Sequence, residues 1–147
     1  MENHFIHHTR LDQLYERFAA DQSDENSSQL IAEIVRLCAG EAEIIGAGIT
    51  KDGMTQPEGY YASDGRFYFH IFSGPERFEQ SSADHPVQVR ISDLYETARK
   101  YTQTGGFSLN YKRTGGTLLI SKEDIAEGME LYVRLHGAGQ KGSGNEE

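Results

Sequence analysis

The chain has 147 residues and a formal net charge of −9, with 14 Lys and Arg against 23 Asp and Glu, six His and a single Cys. Its 37% hydrophobic and 10% aromatic content is too apolar for a disordered polymer and too polar for a membrane protein, and no run approaches the roughly 20 apolar residues of a spanning helix. The acidic balance argues against nucleic acid as a ligand, and the lone Cys38 excludes both a disulfide framework and a cysteine zinc cage.

The length fits one domain. The first 20 residues lack the apolar run of a signal peptide, which predicts a cytoplasmic protein. Leu11, Leu14, Tyr15 and Phe18 recur at i, i+3, i+4 and i+7 and predict a first helix with one apolar face. The polar stretch from Asp21 to Ser28 interrupts it. Asn26 and Ser27 are cap candidates for a second helix through Leu30, Ile31, Ile34, Val35, Leu37 and Cys38, stopped at Gly40. Cys38 lies on that apolar face with no basic neighbour, which predicts a buried, inert thiol.

Ile44, Ile45 and Ile49 then predict a strand weakened by Gly46 and Gly48. Thr50 to Glu58, with Gly53 and Pro57, reads as a loop. Arg66 to Phe72 is apolar on both alternating faces and predicts a central strand, ended by Ser73, Gly74 and Pro75; Pro75 opens a short helix through Arg77 and Phe78. Val87, Val89 and Ile91 alternate with Gln88 and Arg90 as a half-buried strand. Ser92 is placed as the cap of a helix bearing Leu94, Tyr95, Ala98 and Tyr101, closed by Gly105 and Gly106. Phe107, Leu109 and Tyr111 form the next strand, Gly115 and Gly116 turn it into Thr117 to Ile120, and Ser121 with Asp124 has the capping-box spacing for a last helix. The sum is an α+β fold: two N-terminal helices, then a mixed or antiparallel sheet of about four to five strands with helices packed against it. One domain spans 1–136, and 137–147 reads as a disordered Gly-rich tail.

No catalytic constellation emerges. Gly137, Gly139 and Gly142 spell G-x-G-x-x-G, but a dinucleotide site needs a strand before the loop and a helix after it, and the sequence has five residues left. His4, His7 and His8 lack the fourth ligand and rigid frame of a metal site. His70 reads as a hydrogen-bonded core residue, and His85 and His136 as exposed. Ser73 lacks the first glycine of a nucleophile elbow. Asp64, Asp84 and Asp93 have no second carboxylate to pair with and read as turn and cap residues. No acid occurs between Glu96 and Glu123, where Arg99, Lys100, Lys112 and Arg113 lie. That stretch is either a solvated basic edge or a docking patch for an acidic partner or small anion.

Three stretches resemble the N-terminal domain of the bacterial SseB (enhanced serine sensitivity) family. They are the helices around Leu14, Phe18, Asp21, Glu25, Asn26, Leu30 and Ile34; Ile71-Phe72-Ser73 before Pro75-Glu76-Arg77-Phe78; and Gly106 to Asn110, Gly116 to Ile120 and Asp124-Ile125. The likeness covers roughly Leu11 to Leu135. It departs from the family pattern at Tyr111, where the family has Pro, and at Phe72, where it often has Thr; the family's second domain has no counterpart here. The resemblance implies a cytoplasmic binding or regulatory module with no established catalytic residues.

The expectation is therefore a non-enzymatic protein-binding module with no cofactor and no metal. Its candidate surface comprises Ser73, Pro75, Asn110, Tyr111, Lys112 and Arg113, and its partner is another protein, neither nucleic acid nor membrane, with a homodimer left open. One alternative is a small-molecule sensor or an enzyme of unrecognised type, its apolar pocket lined by Tyr60, Tyr61, Phe67, Tyr68 and Phe69. Another is an acidic immunity protein that neutralises a basic toxin.

Overall fold

The computed structural model describes residues 6–81, 83, 85–114 and 116–143. Helix α1 (Thr9–Ala20) turns the predicted stripe inward, with Leu11 and Leu14 buried and Tyr15 and Phe18 partly buried beside them. Helix α2 (Asp24–Ala39) starts ahead of the predicted caps. Ser23, in extended backbone, accepts a hydrogen bond from the Asn26 N–H at 3.2 Å. A cap oxygen serves the amide two or three positions on, so Asn26 and Ser27 fall inside the first turn.

Strand β1 (Glu43–Lys51) leads through Asp52 and Gly53, both at positive φ, into β2 (Met54–Pro57), with Lys51 opposite Met54. The segment predicted as a loop is thus a hairpin with an Asp-Gly turn. Its residues from 50 to 57 are exposed, so no apolar alternation marks the strand. The chain continues extended into β3 (Gly59–Tyr61), which pairs with β4 (Phe67–Phe72). Glu58 joins the two ladders: its N–H donates to Ala47 O and its carbonyl accepts from the His70 N–H. The 54–61 run thereby fills the gap where β1 and β4, paired at Ile45–Phe72 and Gly46–Ile71, separate.

Helix α3 (Pro75–Glu79) opens on Pro75 as predicted, and β5 (His85–Arg90) lies antiparallel to β1. Helix α4 (Ile91–Lys100) begins one residue before Ser92, at Ile91; Arg90 occupies the cap position with no side-chain cap bond. Ile91 is fully buried and its N–H donates to Ala42 O, so packing rather than a cap fixes this start. The helix also ends earlier than predicted. Tyr101 is extended and 56% exposed, and the Lys122 ammonium satisfies the carbonyls of Ala98 and Tyr101.

Gly105 and Gly106 close no helix; they belong to β6 (Thr104–Lys112). A Cβ at Gly105 would stand 2.5 Å from Tyr68 Cζ, and Gly106 takes φ +147°, so a close approach and a backbone kink explain these glycines. β6 runs parallel to β4 and antiparallel to β7 (Gly116–Ser121); Gly115 lies outside the described residues. Helix α5 (Lys122–Ser143) is capped as predicted, Ser121 Oγ accepting from the Asp124 N–H at 3.1 Å. Its backbone stays helical to Ser143, because glycines at 137, 139 and 142 weaken a helix without forbidding it. Residues 144–147 of the predicted tail lie outside the described residues.

The fold is α+β, with two helices leading into a mixed sheet of seven strands rather than four or five. The path β2-β1-β4-β6-β7 carries β5 on β1 and β3 on β4. β4 is central, as its two apolar faces predict. Phe69 and Ile71, with Ile44, Phe107, Leu109 and Ile120, face a core built from α1, α2, α4 and α5. On the other face Ile45, Ala47 and Phe72 form a small cluster with Phe78, Ala83 and Tyr111. No described helix is long and apolar enough to cross a membrane.

Candidate functional site

Because β4 and β6 are parallel, their C-terminal ends emerge side by side, the position at which open sheets gather their functional loops. Of the six predicted surface residues, Ser73 and Asn110 meet here. The Ser73 N–H donates to Asn110 Oδ1 at 2.9 Å, and Asn110 Nδ2 donates to Ser73 Oγ at 3.1 Å. Asn110 has φ 55° at a register shift between Leu109 and Lys112, and this bulge aims its amide sideways at the neighbouring strand. Both residues are buried, 0% and 1% exposed, so they fasten the strand ends and present no surface.

The fastening extends to α1 and α3. Ser73 Oγ donates to Asp12 Oδ1 at 2.6 Å; Arg77 Nε donates to the same oxygen at 2.7 Å, and its Nη2 reaches Asp12 Oδ2 at 3.2 Å and also the Glu16 carboxylate. The guanidinium stands 5.0 Å over the Tyr15 ring. The Arg77 hydrogen bonds hold the Asp12 carboxyl below its ordinary pKa despite partial burial, and raise that of Arg77 in return. Asp12 and Arg77 are 65 positions apart, and sequence reasoning missed this clamp.

Two of the remaining predicted residues, Tyr111 and Arg113, line a cleft on the sheet face away from the core helices. Its floor is His70, whose Nδ1 lies 3.2 Å from Ser108 Oγ; Ser108 is in turn 2.5 Å from Thr117 Oγ1. Burial pushes the His70 pKa down to about 4, so its imidazole is neutral at pH 7. The Tyr111 ring lies 4.8 Å from His70, and the Tyr60 ring 5.9 Å from Tyr111. With Glu58, Gly59, Ser81, Ala83 and Arg113 these residues line about 310 Å³. Lys112 and Arg113 are exposed at the turn after β6 and make no ion pair among the described residues. The Arg113 N–H donates to Gln80 O, which ties this rim to the end of α3, while Pro75 is partly buried at the start of that helix.

The five aromatics predicted to share a pocket do not gather. Phe67 and Phe69 pack with the helix-side core, Tyr61 is 76% exposed, and buried Tyr68 donates its hydroxyl to Asp64 Oδ2 at 2.6 Å. Tyr60 alone among them reaches the cleft. The basic residues divide as well. Arg99, paired with Glu96, ends α4 with Lys100, and the length of β6, roughly 26 Å at 3.3 Å per residue, separates them from Lys112.

His7 contacts Thr9 Oγ1 and His8 contacts Glu43 O, while His4 and Asp84 lie outside the described residues. Among the described residues no three His, Cys, Asp or Glu side chains form a metal-binding group. Asp64 is the turn residue predicted, accepting from the Arg66 N–H, and burial pushes the Cys38 thiol up to about 12. No family model, curated protein or solved structure matches this chain.

Proposed function

We propose that the chain is a non-enzymatic binding module that takes an acidic segment of a partner protein at the His70 cleft and its Lys112–Arg113 rim. One observation carries the reading. On a chain of net charge −9, Arg113, exposed and without an ion pair among the described residues, lines the cleft beside the rings of Tyr60 and Tyr111, and the equally exposed and unpaired Lys112 precedes it at the turn. Aromatic side chains and Arg are the residues that anchor protein interfaces, and a local positive rim on an acidic body selects for acidic partners. Neutral His70 contributes shape and a hydrogen-bonding ring nitrogen without added charge. The SseB-type resemblance points to the same class, a cytoplasmic regulatory module.

The test is capture from native lysate by the immobilised chain, beside a Lys112→Glu/Arg113→Glu variant. The expected result is one stoichiometric protein that the wild type holds at low salt and releases at high salt, and that the variant fails to hold at an unchanged Tm. Equal capture by both chains removes the rim from the argument. The cleft volume, at the lower bound of small-molecule sites, supports a second reading as a metabolite sensor. A ligand-induced rise in Tm that Tyr111→Ala abolishes would mark that outcome.

A further inference from the structure

Helix α5 leaves part of its apolar surface uncovered. Ile125 is fully buried against the core and Met129 partly so, but Leu131, Val133 and Leu135 are 51%, 61% and 63% exposed. Leu131 and Leu135, one turn apart, line a groove of about 690 Å³ together with Ile31 and Val35 of α2. The two helices approach closely at its floor, where a Cβ on Gly128 would stand 2.7 Å from Val35 Cγ2. The groove is polarised along its length. Asp124, Glu127 and Glu130 border its N-terminal half, and Arg134 and His136 its C-terminal half. Glu127, Glu130 and Arg134 make no ion pair among the described residues.

We propose that this groove receives α5 of a second copy of the chain, the two helices lying antiparallel about a two-fold axis near Leu131. Charge complementarity selects the occupant. Antiparallel pairing sets the acidic half of each helix against the basic half of the other, so that Glu127 and Glu130 meet Arg134 of the second copy; parallel pairing would set like beside like. A two-fold interface is self-complementary, and here Leu131 meets its own counterpart while Leu135 falls toward the opposite groove. Apolar burial drives the association, and the flanking charges fix its direction. The groove lies among the helices, on the side of the sheet away from the His70 cleft, so the dimer presents two open clefts. A partner with two acidic segments would then bind with an avidity that one copy lacks.

Sedimentation equilibrium of the full chain over a concentration series tests this directly. The expected mass rises from 16.5 kDa toward twice that value as concentration increases. Leu131→Glu, at a position already half exposed, should raise the dimer dissociation constant by roughly tenfold or more, since symmetry doubles the lost apolar contact. Circular dichroism and Tm check that the variant is folded. Arg134→Glu should also weaken the dimer, and adding Glu127→Arg should restore it, which a role within one chain would not produce, since these two positions lie two turns apart on α5 and do not pair along one helix. A chain that stays monomeric throughout overturns the proposal. So does a dimer indifferent to Leu131→Glu, or a charge-reversed variant that fails to recover.

Discussion

Removing the Asp12 carboxylate should loosen the joint between α1, α3 and the two strand ends. Asp12 accepts from Ser73 Oγ and twice from Arg77, and the side chains of the ion pair are 26% and 15% exposed. A surface pair is worth about 0–1 kcal/mol and breaking a buried one costs about 3–5 kcal/mol. The partial exposure and the Glu16 carboxylate that stays with Arg77 place Asp12→Ala between these limits, at about 2–3 kcal/mol. For a chain of 147 residues that is a fall in Tm of about 6–10 °C.

The loss has a pH signature. The folded-state pKa of Asp12 is lowered, so its contribution is complete above the unfolded value near about 3.9 and disappears as pH falls through the folded value. Asp12→Asn keeps an acceptor for the Ser73 hydroxyl; it should lose less at pH 7 and lack the acid-side decline. Urea unfolding of the three proteins at pH 7 and in steps toward pH 3 measures both effects. The reasoning fails if Asp12→Ala stays within about 0.5 kcal/mol of wild type, or if acid leaves the gap between wild type and Asp12→Asn unchanged.

Other expectations follow from the buried groups. Gly105→Ala should cost about 1–3 kcal/mol, because the Tyr68 ring must leave its place over the glycine; an unchanged urea midpoint would refute that close approach. His70 stays neutral in the fold down to about pH 4, while the unfolded chain protonates near about 6.5, so stability should decline as pH falls between these values. An NMR titration of the imidazole should show the low midpoint, and His70→Gln should flatten the decline; a midpoint near about 6.5 contradicts the burial. Cys38 is buried with its thiol raised to about 12, so a disulfide reagent should modify it only as fast as the chain unfolds, and rapid labelling of the native protein counts against this.

Periodicity was informative wherever one face of an element is buried. The Leu11–Phe18 stripe, the doubly apolar β4 and the Ser121 cap all rest on local physics that the sequence displays. The β2–β3 run escaped because its residues from 50 to 57 face water, and its one local signal was the Asp-Gly pair at 52 and 53. The start of α4 was misplaced because the buried contact of Ile91 outweighs the capping preference of Ser92. At the site, the sequence places Ser73 and Asn110 on one surface but does not mark them as buried, since the carboxylate that holds Ser73 comes from Asp12 on α1, far away in sequence. The cleft was hidden for a similar reason: Tyr60, His70 and Tyr111 come from three strands whose order no local pattern records.

That strand order also dictates when the domain can close. After β4 the chain forms α3, crosses to add β5 on the far edge of β1, passes through α4, and only then lays β6 beside β4. A nascent chain that stops short of Thr104 therefore carries a central strand with one edge unpaired, and Phe69 and Ile71 without Phe107 and Leu109 against them. Such an edge is a template for other chains, and pairing over this sequence distance is slow. A C-terminally truncated chain, in which every helix and strand up to α4 has been made and β6 is still missing, is thus expected to aggregate more readily than the full one.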